Sequence, residues 1–375
     1  MERAPEAIPW AILACMSLKT PDWDVPPLRS ARLAEFLPAP RDGVLPEGFF
    51  STSNLPTYVR LEAGWTLAER PRMDAALVLR GARVETLEGR LVRENDRVVV
   101  AIAEDGSEGV FVDSEAFLSG DGGAGGEFQF MGSDVSRERP VDYAAIAAHL
   151  VRERTSGHIV WVLGPAVVHA RARADMVWLI ERGFVHAVMA GNAVAVHDIE
   201  ASLFGTTLGM DGRGVPQRGG HALHMRAINK VREAGSVEAA VGGGAVSSGI
   251  MHALVRHNVP YVLAGSIRDD GPLPGVLTDA LAAQEAMRAH AERATCVVMV
   301  ASALHSIAFG NMLPAFQKRG SEDGTATLEP IVTVAVDQTE FVVRKLKDRG
   351  THQAYAVVTN AQDFVHVLRS YLPTG

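Results

Sequence analysis

The most constraining feature of this chain is a pair of strand-to-turn transitions between residues 158 and 200. The first runs from His158 through an apolar stretch to Gly164-Pro165-Ala166, and the second runs from Gly183 through another to Ala190-Gly191-Asn192. Each apolar stretch predicts a buried strand, and each run of small residues predicts a turn into a helix whose free N–H groups can face an anion. In adjacent units of one parallel sheet, two such turns flank a crevice at the carboxyl ends of the strands, where open α/β sheets bind ligands.

Composition and charge exclude several classes of protein. The 375 residues are 47% hydrophobic and 21% charged, which is ordinary for an α/β enzyme of one large or two medium domains. A net charge of −8 with scattered basic residues argues against nucleic acid or an acidic membrane as partner. Cys15 and Cys296 are too few for a disulfide framework, and Glu2, Arg3 and Pro9 interrupt any signal-peptide pattern. With no apolar run of membrane-spanning length, we expect a soluble cytoplasmic protein.

The first third of the chain predicts a small β-rich domain. Residues 17–48 are rich in proline and irregular, and residues 49–117 then contain short apolar or alternating runs that are typical of strands. These runs are Thr57–Leu61, Ala75–Leu79 and Arg97–Ile102. We therefore expect a mostly antiparallel β module for substrate binding or oligomerisation, and we assign the first domain to residues 1–140.

From residue 141 to residue 375 strand patterns alternate with helical ones. Apolar runs end near residues 163, 190, 264, 300, 336 and 359, and Lys318–Glu329 is predicted to be a polar loop. Strands that alternate with crossover helices predict a parallel sheet. The predicted fold is thus α/β, a doubly wound, mostly parallel Rossmann-like sheet preceded by the smaller β-rich module.

At this point several long motifs resemble one known family, the archaeal-type ornithine cyclodeaminases. The motifs are Gly48–Asn54, Phe130–Ser136, Leu163–Ala166, Ala190–Glu200, Leu263–Pro274 and His305–Pro314. That family shares its conserved region with bifunctional lysine-ketoglutarate reductase/saccharopine dehydrogenase proteins and with the carboxyl half of cyanobacterial arginine dihydrolase. The resemblance covers roughly residues 27–373. It implies an NAD-dependent lyase that converts L-ornithine to L-proline and ammonia through oxidation to an imine, ring closure, ammonia loss and return of the hydride.

Two departures from the family pattern and a second, weaker resemblance bear on the substrate. Members of the family usually carry a further N-terminal domain that this chain is expected to lack, and Val241–Gly244 is richer in glycine than the family pattern. Asp269-Asp270-Gly271 and Thr359–Phe364 are similar to segments in the NAD fold of deoxyhypusine synthase. The catalytic lysine of that enzyme follows the second motif, whereas no lysine follows Lys347 here, so its chemistry is not expected.

The predicted cofactor-binding residues follow the predicted strands at their carboxyl ends. They are Gly164, Pro165, Ala166, Ala190, Gly191, Asn192, Asp269, Ser302, Asn311, Thr359 and Asn360. Small residues let the backbone approach a diphosphate, although a plain tight turn explains them as well, and neither turn carries Gly-x-Gly-x-x-Gly. Asn192 or Asp269 could bind a ribose, and Thr359 and Asn360 could meet the nicotinamide carboxamide or a phosphate.

Five residues are candidates for catalysis: His197, Glu200, Arg268, Asp270 and His305. Histidine titrates near neutral pH and can act as the base, although a packed structural histidine is the alternative at both positions. Glu200 or Asp270 could bind a substrate ammonium. Arg268 offers a bidentate fork to a carboxylate, and a charged surface turn is the alternative for residues 268–270.

No metal site is predicted. His221 and His224 have a possible ligand spacing, and His169, His186 and His197 lie elsewhere in the chain, but no cysteine or glutamate partner is near His221 and His224 in sequence. The expected ligands are an amino acid or a diamine together with NAD, and we expect a homo-oligomer. Two alternatives stay open: another NAD-dependent imine-forming enzyme, acting on lysine, a polyamine or a specialised amino acid, or a non-catalytic sensor of NAD or amino acids.

Overall fold

The computed structural model describes residues 18–117, 141–169, 172–267, 269, 271–320, 326–348 and 353–373. They form two compact units. The described residues up to 117, together with the segment Leu313–Ile331, form the first unit, and nearly all the others form the second. The division predicted at residue 140 left Leu313–Ile331 in the second domain.

The first unit is built from short strands. These are β1 (Glu35–Pro38), β2 (Thr57–Leu61), β3 (Gly64–Leu67), β4 (Ala76–Arg80), β5 (Arg83–Leu87), β6 (Arg97–Val100) and β7 (Val110–Val112). They pair in the orders β1-β6-β4-β5 and β3-β2-β7, and every described register is antiparallel. Val59, Leu77, Val84 and Val99 are fully buried and pack into one core. The predicted antiparallel β-rich module is confirmed.

The second unit alternates strands with helices. In chain order its elements, with a hairpin that belongs to the first unit, are α1 (Tyr143–Ser156), β8 (Ile159–Leu163), α2 (Ala172–Glu181), β9 (Ala187–Gly191), α3 (Asn192–Phe204), α4 (Leu223–Ala234), α5 (Val237–Gly242), α6 (Ile250–Arg256), β10 (Tyr261–Ala264), α7 (Ala280–Ala291), β11 (Cys296–Val300), α8 (Ala303–Met312), β12 (Phe316–Gly320), β13 (Ala326–Pro330), β14 (Val332–Asp337), α9 (Glu340–Asp348), β15 (Gln353–Val358) and α10 (Ala361–Tyr371).

Six of these strands form one sheet in the order β10-β9-β8-β11-β14-β15. The registers described between β10 and β14 are all parallel. Counted within the unit, the order is 3-2-1-4-5-6, that of a dinucleotide-binding doubly wound sheet. Helices α1 to α6 and α10 pack in one connected group, and α7, α8 and α9 in another. Because helices cover both faces, β8 is buried along its whole length and its sequence is continuously apolar. The predicted Rossmann-like fold is confirmed.

The predicted polar loop Lys318–Glu329 is wrong, because its described residues lie mostly in the hairpin of β12 and β13. The two strands pair antiparallel, and the side chains of Arg319 and Glu329 form an ion pair at 2.9 Å. Side chains along β12 alternate between more and less buried positions, so the strand carries few apolar residues. Because the hairpin is half exposed and pairs charged side chains across its strands, its amino-acid composition resembles that of a loop, and the sequence pattern therefore did not indicate strands.

No described helix is both long enough and apolar enough to cross a bilayer.

The chains leaving β8 and β11 diverge at the point where the strand order reverses. Gly164 donates its N–H to Val300 O at 2.8 Å, and Ala301, the residue after β11, lies at a left-handed φ of 54°. A Cβ built on Gly164 would overlap the carbonyl group of Ala301. Glycine is therefore required here for the packing of two backbones, whatever ligand the turn also approaches.

We expect Gly164→Ala to lower the free energy of unfolding by about 3 kcal/mol, because the new methyl must displace the Ala301 backbone. Denaturant titration of the purified variant measures this. Gly242→Ala is the matched control, since a Cβ there meets nothing within 4 Å and should leave stability unchanged or slightly higher. Equal stabilities of the two variants would contradict the packing role.

Candidate active site

A cleft of about 440 Å³ opens at the carboxyl ends of β8, β9 and β10. Four sequence-predicted site residues line it, namely Pro165, Asn192, His197 and Asp269. Its size lies in the range of small-molecule sites, which are mostly apolar with a few convergent polar groups. This is the edge of the sheet at which the sequence predicted ligand binding.

The polar end of the cleft is organised by the first residue of α3. Asn192 donates from Nδ2 to Asp269 Oδ1 at 3.3 Å, and its Oδ1 accepts the N–H of Leu273 at 3.1 Å. Asp269 Oδ2 accepts the N–H of Ser266 at 2.7 Å. Gly191 precedes α3 as its N-cap and has no side chain to cap the helix. The first N–H groups of α3 therefore stay uncapped at this end of the cleft. The arrangement offers N–H groups to an anion and a carboxylate to a hydroxyl or an amine.

His305 lies in the first turn of α8, beside the point where β8 and β11 diverge. Its Nδ1 is 2.9 Å from Ser302 Oγ, which fixes the orientation of the ring. A Cβ built on Gly191 would lie 2.9 Å from His305 Cε1, so glycine there makes room for the imidazole. Burial lowers the pKa of His305, partly offset by the negative charge of Asp269. The imidazole is therefore neutral near pH 7 and can accept a proton.

Glu200 is a buried anchor for the loop after α3. Its side chain has no exposed surface and accepts hydrogen bonds from Thr206 Oγ1 at 2.9 Å, from the N–H of Leu208 at 3.2 Å and from the N–H of Gly209 at 2.8 Å. Its Oε2 lies 3.3 Å from His197 Nδ1. Burial raises the pKa of Glu200, but the hydrogen bonds with His197, Gly209 and Thr206 outweigh it and leave the pKa lowered. The carboxylate is thus an anion whose acceptors are already occupied, which does not fit the predicted role of an ammonium ligand.

Asp198, next to His197 in sequence, points to the opposite side of α3. It is fully buried and accepts hydrogen bonds from Arg173 Nε at 2.7 Å and from the N–H groups of Ile250 at 2.9 Å and Met251 at 2.8 Å. Burial raises its pKa against the influence of Arg173 and the two N–H groups. Asp198 therefore caps α6 and ties it to α2 and α3, and it does not orient His197.

Several predicted cofactor residues have structural partners outside the cleft. The carbonyl of Ala166 accepts from Gln362 Nε2 at 3.0 Å, and the N–H of Thr359 donates to Asp337 O at 3.0 Å. Asn360 caps α10 through the N–H of Asp363 at 2.7 Å. Ala190 is buried within β9, and Asn311 lies near the end of α8.

Arg268, Asp270 and the motif Phe130–Ser136 lie outside the described residues.

The histidines considered for a metal lie in more than one place. His186 stacks on His158 at the amino end of the sheet, with ring centroids 5.9 Å apart. His169 Nδ1 is 3.0 Å from Thr207 Oγ1, and His224 lines the cleft. Within the described residues no group of three His, Cys, Asp or Glu side chains is arranged to hold a metal ion.

Sequence reasoning missed the apolar side of the cleft. Val196, Leu208, Met225 and Ile228 line it. Met225 and Ile228 are three residues apart and share one face of α4, a spacing that could have been read from the sequence. Leu208 gave no such signal, because its position depends on how the loop folds around Glu200.

Two models of one protein family match this chain. "Arginine dihydrolase ArgZ-like, C-terminal, Rossmann fold" matches residues 144–368, and the corresponding first region matches residues 56–145. A protein of Methanopyrus kandleri named ornithine cyclodeaminase is 45% identical over 333 residues, which cover 88% of this chain and 76% of that protein.

Two solved structures are similar along most of the chain. A LOR/SDH protein from Methanococcus maripaludis S2 has a TM-score of 0.78 at 38% identity, covering 91% of this chain and 98% of that one. The ternary complex of AgrE with ornithine and NAD+ has a TM-score of 0.57 at 34% identity, covering 93% of this chain and 46% of that one. The likeness to deoxyhypusine synthase stays a prediction.

We expect Arg173→Met to lower the free energy of unfolding by about 3–5 kcal/mol, because it leaves the Asp198 carboxylate buried without its cation. Arg213→Met is the control: Arg213 pairs with Asp211 at 3.3 Å with its own side chain 84% exposed, so its loss should cost less than about 1 kcal/mol. Denaturant titration measures the free energy of unfolding of both variants. If Arg173→Met lowers the free energy of unfolding no more than Arg213→Met does, the buried ion pair of Arg173 and Asp198 does not stabilise the fold.

Proposed function

This chain belongs to the archaeal-type ornithine cyclodeaminase family, and we propose that it converts L-ornithine to L-proline and ammonia with NAD as a catalytic cofactor. The 45% identity to an ornithine cyclodeaminase over most of the chain carries the proposal. The solved complex of AgrE with ornithine and NAD+ supports the pairing of that substrate with that cofactor.

The described residues fit a dinucleotide. The strand order reverses between β8 and β11, where sheets of this type bind one, and the start of α3 offers uncapped N–H groups for a phosphate. Asn192 and Asp269 would hold ribose hydroxyls. Bound NAD would accept a hydride from the α-carbon of ornithine and return it after ring closure.

We assign the base to His305. Ser302 holds its ring, Gly191 makes room for it, and burial keeps the imidazole neutral. A neutral, oriented imidazole can take a proton from a substrate ammonium. The α-amine must be unprotonated before its carbon can lose a hydride to form the imine, and the distal amine must be unprotonated before it can attack that imine. Arg268 and Asp270 are proposed, on the family resemblance, to bind the α-carboxylate and an amine of the substrate.

We propose different roles for His197 and Glu200 than the sequence suggested. His197 lines the cleft over β8 to β10, whereas Glu200 is fully buried and saturated with hydrogen bonds. We therefore assign His197 to ligand binding and Glu200 to holding the loop after α3, and neither to proton transfer. Residence in the cytoplasm and assembly as a homo-oligomer stay predictions.

The reaction is tested with L-ornithine deuterated at the α-carbon. We expect the proline formed to retain the deuterium, ammonia to appear in equal amount, and no NADH to accumulate, because the same cofactor accepts and returns the hydride. Mass spectrometry and an absorbance trace measure all three. Turnover of lysine or a diamine but not ornithine would favour another imine-forming enzyme, and NAD binding without turnover of any amine would favour a sensor.

We expect His305→Asn to lower kcat by about a hundredfold or more while NAD still binds, because the variant loses a general base. Steady-state kinetics and calorimetry with NAD measure the two effects. Ser306→Ala on the same helix is the control: the buried Ser306 hydroxyl has no hydrogen-bond partner among the described residues, so its removal should leave kcat unchanged. Retention of wild-type kcat by His305→Asn would remove His305 from the mechanism.

A further inference from the structure

The loop of residues 265–279, which joins β10 to α7, carries a carboxylate of the cleft. Asp269 lines the cleft from this loop. The two ends of the loop are joined through the backbone, because the N–H of Gly265 donates to Leu277 O at 2.8 Å and the N–H of Leu277 donates to Leu263 O at 2.9 Å. The ends therefore stay on the edge strand β10, and contacts farther along the loop decide where Asp269 lies.

Two side chains from neighbouring helices bind consecutive residues of this loop. Asn192, the first residue of α3, accepts the N–H of Leu273 at 3.1 Å. Arg232, in the last turn of α4, donates from Nη2 to the carbonyl of Pro272, also at 3.1 Å. Helices α3 and α4 pack against each other, and Leu273 is buried. The loop is therefore bound at two adjacent points to one packed pair of helices.

The amide of Asn192 links this support to the carboxylate of the cleft. Its Nδ2 donates to Asp269 Oδ1 at 3.3 Å, while its Oδ1 accepts the N–H of Leu273. Because a single amide makes both bonds, both are satisfied together only when the loop lies in one position. A contact that fixes the loop beside Leu273 therefore also fixes Asp269.

Gly271 allows the guanidinium of Arg232 to reach Pro272. Its backbone lies at φ 116°, a conformation that favours glycine. A Cβ built on Gly271 would lie 2.7 Å from Nη2 of Arg232 and 3.5 Å from its Cζ. The guanidinium thus lies against the backbone of Gly271, where any side chain would displace it.

Arg232 lies on the face of α4 that lines the cleft. Met225 and Ile228 line the cleft from this helix, and Arg232 follows them by seven and four residues, the spacing of one helix face. The residue is exposed, and substitutions at exposed positions usually change stability little. Loss of Arg232 is therefore expected to change the cleft and to leave the fold intact.

We propose that Arg232 is a positioning residue for the substrate: its bond to the Pro272 carbonyl, made across Gly271, holds the loop so that Asp269 stays in the cleft. The inference rests on the function proposed above. In sequence Asp269 stands between Arg268 and Asp270, to which that function assigns the binding of ornithine. Arg232 itself does not contact the substrate and acts through the loop.

Steady-state kinetics with ornithine at saturating NAD test the proposal. We expect Arg232→Met to raise KM about tenfold, because the methionine cannot donate to Pro272, and to change kcat less than threefold, because His305 follows a different strand. Arg232→Lys should recover most of the affinity, since its ammonium still donates. Arg226→Met is the matched control on the exposed side of the same helix and should change neither constant.

Hydrogen exchange reads the position of the loop without any turnover. Peptides that cover residues 266–277 should exchange about tenfold faster in Arg232→Met than in wild type or in Arg226→Met, because the N–H groups of Ser266 and Leu273 depend on Asp269 and Asn192. All three proteins should melt at the same temperature. A purely structural role of Arg232 would instead lower the melting temperature and kcat together.

Gly271→Ala tests the same contact with Arg232 unchanged. The new methyl would displace the guanidinium, so we expect the same rise in KM, and no further rise when Gly271→Ala and Arg232→Met are combined. Gly275→Ala is the matched control: Gly275 lies in the same loop at φ 85°, and a Cβ there meets nothing within 4 Å. Backbone strain alone should leave KM unchanged.

The outcomes separate the inference from the function on which it rests. If wild type does not convert ornithine, the proposed function fails and the inference fails with it. If wild type converts ornithine and Arg232→Met keeps the wild-type KM or the wild-type exchange of the loop, only the inference is overturned. An equal rise in KM in Arg226→Met would also overturn it, since the effect would then come from the charge of the helix and not from the bond to Pro272.

Discussion

The divergence of the chain after β8 and β11 is the constraint on which the site depends. Both strands end at the same edge of the sheet, and their continuations must leave in opposite directions because the strand order reverses there. Gly164 packs against the carbonyl of Ala301, and Ala301 turns away at a left-handed φ. The opening at this edge of the sheet is therefore bounded by two backbones in contact, and the cleft lies beside it, past β8, β9 and β10.

Helix α3 converts this opening into a shaped cleft by burying carboxylates on different sides. Asp198 binds Arg173 and caps α6, while Glu200 binds the turn that carries Leu208. Burying a carboxylate is costly unless hydrogen bonds replace its water, and each of these two accepts several. The helix is therefore fixed on both sides, and His197 between them is presented to the cleft on a rigid support.

The sequence was sufficient for the sheet and only partly sufficient for the site. Strands such as β8 are continuous apolar runs because helices cover both faces, and this signal is local. The cleft position of Asn192 follows directly from the end of β9, so it too could be predicted. The position of Leu208 could not, because it results from contacts with Glu200 and Gly220 and contradicts the local preference of leucine.

In the proposed arrangement two histidines that look equivalent in sequence have different tasks, and the sheet decides which is which. His305 follows β11, where the chain diverges, and burial keeps it free of charge. His197 lies 3.3 Å from a buried carboxylate that also holds the turn, so its ring belongs to the wall of the cleft. A base must change its charge in every turnover, whereas a binding wall must not move. The histidine with a hydroxyl neighbour suits the first task, and the one beside the anchored anion suits the second.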